Sequence, residues 1–384
     1  MGQTRAQLLL IGAIVLMSDY PRSTTKVTLG VCVKNSESTI EKCLRNVINQ
    51  NFPKKLIEVI VVDGNSKDKT VEIARNVISA SGIVADFLSD KGEGLGVARQ
   101  IVLDHAHAEY VIWVDGDVLC SRDFVKNIVA FMDQNPQVCV ATGRYVYPEG
   151  ACMTLPASLQ NLSKYVASIQ FVSKKENRGL PPNDACIYRL RACKQVGGFD
   201  KRITGAGEDL DIIIRMMKKG WKISVDKSAM YCAFPREKWG SLWVERSWFG
   251  KGSYYVAHKH PDLHIQTPNI LLSFIIGCRE GLKAYKLTLE REALLFSLYY
   301  TFVAAATLHG FIKGYIEKYG HEQTDSGSVS EWRNAITWVV SQTTHMQARI
   351  LHVLPMLSTQ KSGYLNSSRC YNIEKLSARL RRKP

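Results

Sequence analysis

Tyr110-Val111-Ile112-Trp113-Val114-Asp115-Gly116-Asp117 is a run of five apolar residues leading straight into two carboxylates separated by a glycine. An unbroken apolar run, rather than an alternating one, is the pattern of a strand buried on both faces of a parallel sheet. The abrupt change to Asp-Gly-Asp marks the carboxyl end of that strand, the edge of an open α/β sheet where ligands collect. Two carboxylates at i and i+2 repel unless something cationic lies near them. A hard divalent ion sharing diphosphate oxygens meets that need, and Gly116 lets the backbone turn tightly between them.

Outward from this stretch the alternation of strand and helix repeats. Val27 to Val33, Leu56 to Val62, Val84 to Leu88 and Val138 to Thr142 read as further strands. Ile40, Cys43, Leu44 and Val47 mark one helical face, with Ser38 placed to cap it. Asp68 or Ser66 can cap the next helix, the third runs from about Leu95 to His105, and Ser121 opens a fourth. These β-α repeats predict an α/β fold, a Rossmann-like, mostly parallel sheet with helices on both faces. Gly150 to Pro182 breaks the alternation and reads as an irregular insertion or acceptor-side segment. After it, Asp209 to Lys219 is a helix with Leu210, Ile213, Ile214 and Met217 as its apolar stripe and Gly220 as its stop.

The chain has 384 residues, 46% of them apolar, which supports a sizeable core and excludes wholesale disorder. Lys plus Arg exceed Asp plus Glu by 50 to 35, a net charge of +15 that favours anionic partners such as nucleotide diphosphates or lipid headgroups. No RNA or DNA motif accompanies that charge, so nucleic acid is not the expected partner. The ten cysteines form no C-x-x-C pair and read as small buried hydrophobes of a reducing compartment.

Asp63 ends the second strand, on the same sheet edge as Asp115, so the two can face one crevice. Glu208 and Asp209 open the late helix as a pair, where charge complementarity with the helix end is the simpler explanation and catalysis the sharper one. Gly92-Glu93-Gly94-Leu95-Gly96 has the spacing G-x-G-x-G and follows the third strand. It therefore lacks the dinucleotide fingerprint, and no Walker sequence occurs.

Together Val27 to Glu37, Ile60 to Thr70, Val97 to Gln100, Val111 to Asp117 and Gly197 to Lys219 resemble the family 2 inverting glycosyltransferases of GT-A fold. The resemblance covers about Lys26 to His260 and implies a nucleotide-sugar donor, with Mn²⁺ or Mg²⁺ as cofactor. It sets Asn35 and Glu37 at a nucleotide-side turn, Asp63 on the base and Arg99 near the nucleotide. Asp115 and Asp117 match the D-x-D motif, for ribose and metal-diphosphate contacts. Glu208-Asp209 matches the acidic pair that contains the catalytic base. Arg246 and Trp248 stand in an aromatic and basic segment on the acceptor or diphosphate side. Three positions depart from the pattern: Gly64 where a second aspartate is usual, Gln100 where asparagine is common, and Tyr231-Cys232 where a histidine often joins the metal site.

The remaining expectations concern organisation. Residues 1–25 read as a leader, either a genuine N-terminal helix or upstream of a true start at Met17. Residues 26–260 form the glycosyltransferase-like domain, 261–320 an apolar and amphipathic helical extension, and 321–384 a polar linker and basic tail. Ala293 to Ile312 carries no Asp, Glu, Lys or Arg, so this region is expected to contact a membrane, peripherally or as a single span. By family analogy the acceptor is a lipid-linked sugar, a saccharide or a polyprenyl phosphate, used at the cytoplasmic side of the membrane in polysaccharide or glycan assembly. The rival readings are a nucleotidyltransferase on a similar fold and a non-catalytic sugar-nucleotide-binding scaffold.

Overall fold

The computed structural model describes residues 25–147, 153–173, 184–263 and 268–317. The leader expected over 1–25, apart from Thr25, and the linker and tail over 321–384 lie outside the described residues. The chain divides into two compact units. One comprises the residues up to Tyr145 with Phe171–Lys201 and Ile212–Ala233; the other comprises Val146–Gln170, Arg202–Asp211 and the chain from Phe234 onward.

In the first unit β1 (Val27–Val33), α1 (Ile40–Ile48), β2 (Ile57–Asp63), α2 (Thr70–Ser79), β3 (Val84–Ser89), α3 (Leu95–His105) and β4 (Tyr110–Trp113) succeed one another. The short β5 (Val118–Cys120), α4 (Phe124–Gln134) and β6 (Val138–Tyr145) follow, and α5 (Leu155–Ser173) falls to the second unit. Then come β7 (Cys186–Arg189), α6 (Leu190–Gln195), α7 (Glu208–Lys218), whose residues up to Asp211 belong to the second unit, and β8 (Lys222–Ala233). The eight strands form one sheet in the order β3-β2-β1-β4-β7-β6-β8-β5. Four pairings are parallel and three antiparallel. The expected α/β class is the one observed. The parallel half, β3-β2-β1-β4, carries the expected βα repeats, and β7 enters antiparallel between β4 and β6.

β1 is buried along nearly its whole length, because both faces of the sheet meet helices. Polar groups in this core are paired. Glu58, 2% exposed, accepts from Thr28 Oγ1 at 2.6 Å and from the backbone nitrogen of His107 at 2.8 Å. Arg189 in β7 donates to the carbonyl oxygens of Met132 and Asn135 at the end of α4, satisfying groups the helix leaves open. α7 stops where expected: Gly220, at φ 89°, takes the left-handed turn. Its core face is rotated from the expected stripe. Ile212, Ile213 and Met216 enter the sheet's core while Met217 is exposed, because Asp211 rather than Leu210 is drawn inward.

The second unit is helical. α5, α8 (Trp239–Lys259), α9 (Ile270–Thr288) and α10 (Phe296–Ile316) surround a core of Leu159, Leu162, Val166, Leu242, Ala284 and Phe296. The irregular insertion expected over Gly150 to Pro182 is largely the regular helix α5. Its inward positions include Ser158, Gln160, Asn161 and Ser168, which hides the apolar period from a sequence reading. α10 packs along α8 at glycines: a methyl group at Gly250 would collide with the Thr307 carbonyl, and one at Gly310 with the Ser247 carbonyl.

Candidate functional site

Parallel register sets the first unit's site. Val33 of β1 pairs with Asp63 of β2, which pairs with Ser89 of β3. Gly30 pairs with Trp113 of β4, and the Val114 nitrogen donates to the Gly30 carbonyl at 2.9 Å. Asp63 and Asp115 therefore leave the same carboxyl edge on either side of β1, as expected. Both oxygens of Asp63 accept the Ser66 nitrogen at 3.2 Å, which turns the chain sharply after β2.

Asn35 and Glu37, expected on the nucleotide side, join two loops. Asn35, at φ 49°, donates its backbone nitrogen to Ser66 Oγ at 2.9 Å and accepts the Lys67 nitrogen on Oδ1 at 2.8 Å. Ser36 donates to Thr70 Oγ1, and Glu37 Oε2 accepts the Lys69 nitrogen while the Glu37 nitrogen donates to Asp68. The loops after β1 and β2 are thus one hydrogen-bonded body around Asp63.

The glycine-rich loop is closed by Asp90, a residue the sequence reading did not single out. Its carboxylate accepts the Gly92 nitrogen at 2.7 Å and the Gly94 nitrogen at 3.1 Å. Those N–H groups are spent inside the loop rather than offered to a phosphate. An aspartate two residues before a glycine of positive φ was the available signal.

Arg99 and Asp115, chosen separately, meet. Arg99 Nη2 lies 3.7 Å from Asp115 Oδ1, and the guanidinium sits over the Trp113 ring at 5.1 Å. Arg99 is buried, whereas Asp115 is open enough to meet a ligand. The glycine between the two acids is not a strained turn. The chain does turn tightly there, as expected, with the Val118 nitrogen donating to the Asp115 carbonyl at 3.4 Å, but the turn does not require a glycine: the φ of Gly116 is not positive, and a Cβ would meet Thr39 Oγ1 at an ordinary 3.6 Å. What fixes the triplet is Cys43 of α1, whose thiol donates to the Gly116 carbonyl at 3.0 Å. Burial pushes the Cys43 thiol up to about 11, with the charge of Asp117 as the next contribution.

Among the described residues no three His, Cys, Asp or Glu side chains converge as a metal cage. Cys232, where the family often has a histidine, joins no such cluster, and burial pushes its thiol up to about 11. Two carboxylates without further protein ligands suit a magnesium-like ion that keeps waters and takes phosphate oxygens from a substrate. The residues fit an ion that arrives with a diphosphate. Asp117 would hold it, with Asp115 shared with Arg99.

The other expected residues lie in the second unit. Glu208 is buried in the first turn of α7, and Asp209 Oδ1 accepts the Leu210 nitrogen at 2.7 Å. A third acid, Asp211, is fully buried and was missed. It accepts from Lys259 Nζ at 2.8 Å and lies 2.9 Å from His260 Nε2. Arg246 pairs with Glu245 at 3.5 Å and lies over Phe249, and Trp248 leans on the same ring.

Residues 28–197 match the family model described as Glycosyl transferase family 2. Glycosyltransferase AglE of Haloferax volcanii is 23% identical over 231 residues, 60% of this chain and 73% of AglE. The poly(ribitol-phosphate) beta-N-acetylglucosaminyltransferase TarS of Staphylococcus aureus is 32% identical over 110 residues, 29% of this chain and 19% of TarS. The matched region thus spans about a fifth of TarS. Among solved structures, mannosyltransferase PcManGT from Pyrobaculum calidifontis, in complex with GDP-Man and Mn²⁺, superposes with a TM-score of 0.47 at 16% identity, covering 89% of this chain and 93% of that one. The matched region, residues 28–197, contains every strand-edge residue discussed above.

Proposed function

We propose that this chain is an inverting, metal-dependent glycosyltransferase. It moves a sugar from a UDP- or GDP-sugar to a lipid-linked glycan or polyprenyl-phosphate acceptor at the cytoplasmic face of the membrane, in polysaccharide or glycan assembly. The observation that carries the reading is the Arg99–Asp115 pair beside Asp117 on the edge that also holds Asp63. A cation and two acids there suit a nucleoside diphosphate that brings its own metal.

Asp63 and the loops it organises receive the base and ribose. Arg99 holds Asp115 in place and offsets its charge. Asp117 would hold a divalent ion, which when bound would supply charge stabilisation on the departing diphosphate. Asp209 takes the acceptor hydroxyl proton, and no enzyme nucleophile is assigned, which gives inversion. For a phosphate acceptor, already deprotonated, Asp209 orients rather than accepts. The family match over 28–197 and the transferase relatives support the class.

The nucleotidyltransferase reading lacks a glycine-rich basic loop after β1, since Lys34-Asn35-Ser36-Glu37 is tied to residues 66–70 instead. The test is release of nucleoside diphosphate from a panel of UDP-, GDP- and dTDP-sugars with Mn²⁺ or Mg²⁺ and an acceptor extract. Turnover of one donor class is expected. No turnover of any donor by folded protein overturns the reading in favour of a scaffold.

A further inference from the structure

α9 is amphipathic with its apolar side outward. At 3.6 residues per turn, Leu271, Phe274, Ile275 and Leu282 fall within an arc of about 100°, and all four are exposed, Leu271 at 67%. The opposite side, Gly277, Glu280, Gly281 and Ala284, is buried in the helical unit. Arg279, Lys283 and Lys286 line one flank of the apolar arc and are exposed. Glu280, hydrogen-bonded to Gln170, offsets part of that charge from the inner side without entering the stripe.

The chain then turns through an elbow tipped by Leu289. This leucine has a left-handed backbone (φ 61°) and is 74% exposed, and Leu294 stands exposed after it. A contiguous exposed apolar surface with a cationic border is costly in water and suits one environment in particular, the interface of an anionic bilayer.

α10 is the alternative membrane element, since Arg291–Ile316 is long and apolar enough to cross a bilayer by length and composition. It is packed along α8 at Gly310, and Ser247 Oγ of α8 lies 2.8 Å from His309 Nδ1. α8 also carries Glu245, Arg246 and Lys251, and Lys251 and Lys313 both pair with Glu317. A bilayer that took α10 across would have to take these charges with it.

We propose that α9 and the Leu289 elbow dock the helical unit onto an anionic lipid surface from one side, without α10 spanning it. The proposal rests on the membrane-side reading above and names its surface. The bound state places the apolar arc at the acyl boundary and Arg279, Lys283 and Lys286 among the headgroups. The basic tail, with Lys375, Arg379, Arg381, Arg382 and Lys383, lies outside the described residues and is not part of this surface.

The test is vesicle flotation of the full chain, with phosphatidylcholine alone and with added phosphatidylglycerol. Cys278 lies within the apolar arc and is the one exposed cysteine among those described, so it takes an environment-sensitive fluorophore. The expected result is flotation with anionic vesicles only, weakened by salt, with a blue shift of the Cys278 label. Leu271→Gln with Ile275→Gln and Leu282→Gln should weaken partitioning about tenfold or more, and their exposure predicts unchanged thermal unfolding.

Three outcomes overturn the proposal. One is equal flotation of the triple variant. Another is a silent Cys278 label together with loss of flotation on charge reversal of Arg379, Arg381 and Arg382, which assigns binding to the tail. The third is absence of flotation with dissociation of a dimer in the triple variant, which makes the face a contact with a second copy. Donor turnover on the same samples is read separately. Vesicle binding without turnover removes the glycosyltransferase reading and keeps this one; turnover without binding does the reverse.

Discussion

The thiol of Cys43 donates to the carbonyl oxygen of Gly116 at 3.0 Å, so the centre of Asp115-Gly116-Asp117 is tethered to the helix after β1. Burial, with the neighbouring charge of Asp117 next, keeps this thiol protonated by raising it from 9.0 to about 11. A raised folded value means the native state holds the proton longer than the unfolded chain. Stability is unaffected below pH 9 and is lost as pH rises through about 11. At pH 8 alkylation of Cys43 should be about 100-fold slower in the native than in the unfolded chain, read by mass spectrometry of the Cys43 peptide. Equal rates would show the thiol to be open.

Arg99 is both the ion partner of Asp115 and the cation over Trp113. Arg99→Lys keeps the charge but loses the planar stack and should cost about 1 kcal/mol of stability. Arg99→Ala should cost about 1–3 kcal/mol and weaken donor binding further. Urea denaturation and calorimetry with the nucleotide separate the two effects. An Arg99→Ala protein that binds the donor normally removes Arg99 from the donor site.

Metal binding should depend on the nucleotide, because no third protein ligand joins the two aspartates among the described residues. Mn²⁺ should bind weakly alone and tightly with UDP or GDP, followed by electron paramagnetic resonance. Asp117→Ala should abolish the linked binding and the turnover. Asp209→Asn should keep donor binding and lose transfer to a hydroxyl acceptor by about 10²–10⁴-fold. Unchanged transfer by Asp209→Asn removes it from the mechanism.

Gly310 and Gly240 make a matched pair for stability. A methyl group at Gly310 meets the Ser247 backbone, so Gly310→Ala should destabilise by about 1–3 kcal/mol. Nothing lies within 4 Å of a Cβ at Gly240 in α8, and Gly240→Ala should stabilise by up to about 1 kcal/mol. Thermal melts of the two variants should move in opposite directions; a common direction would contradict the packing described.

Glu109 gives an acid signature. Burial acts to raise its carboxyl, but the hydrogen bonds from Lys26 and Tyr110 and the Lys26 charge together outweigh it and hold the value below the ordinary 4.5. The stabilisation is present above that ordinary value and lost as pH falls through the lowered one. Glu109→Gln should flatten the loss of stability below pH 4.5, measured by denaturation across the acid range, against a steep loss in the parent.

The parallel half of the sheet was legible because β1, β2 and β4 are apolar at nearly every position, in short runs separated by polar loops and helices. β5 and β7, at three and four residues, carry too few positions to establish a period. α5 was hidden by the polar residues on its inner side, since Gln160 donates to Pro156 and Arg236 carbonyls and so satisfies itself inside a core. In the site, Asp63, Asp115 and Arg99 were readable from their positions around apolar strands. Cys43 was readable only as a core residue, because a thiol on an apolar helix face looks the same whether or not it reaches a carbonyl. Asp211 carried a weak signal, an acid three residues after Glu208 on the same helix face, but its partners Lys259 and His260 lie far along the chain.

The stitched loops after β1 and β2 bear on any attempt to change donor selectivity by grafting. Asn35 is matched to Ser66 and Lys67, Ser36 to Thr70, and Glu37 to Asp68 and Lys69. A transplant of either loop alone would leave the other side of each bond facing a foreign sequence, and such neighbours do not behave additively. Residues 34–37 and 65–70 form a single exchangeable cassette, to be swapped together or left alone.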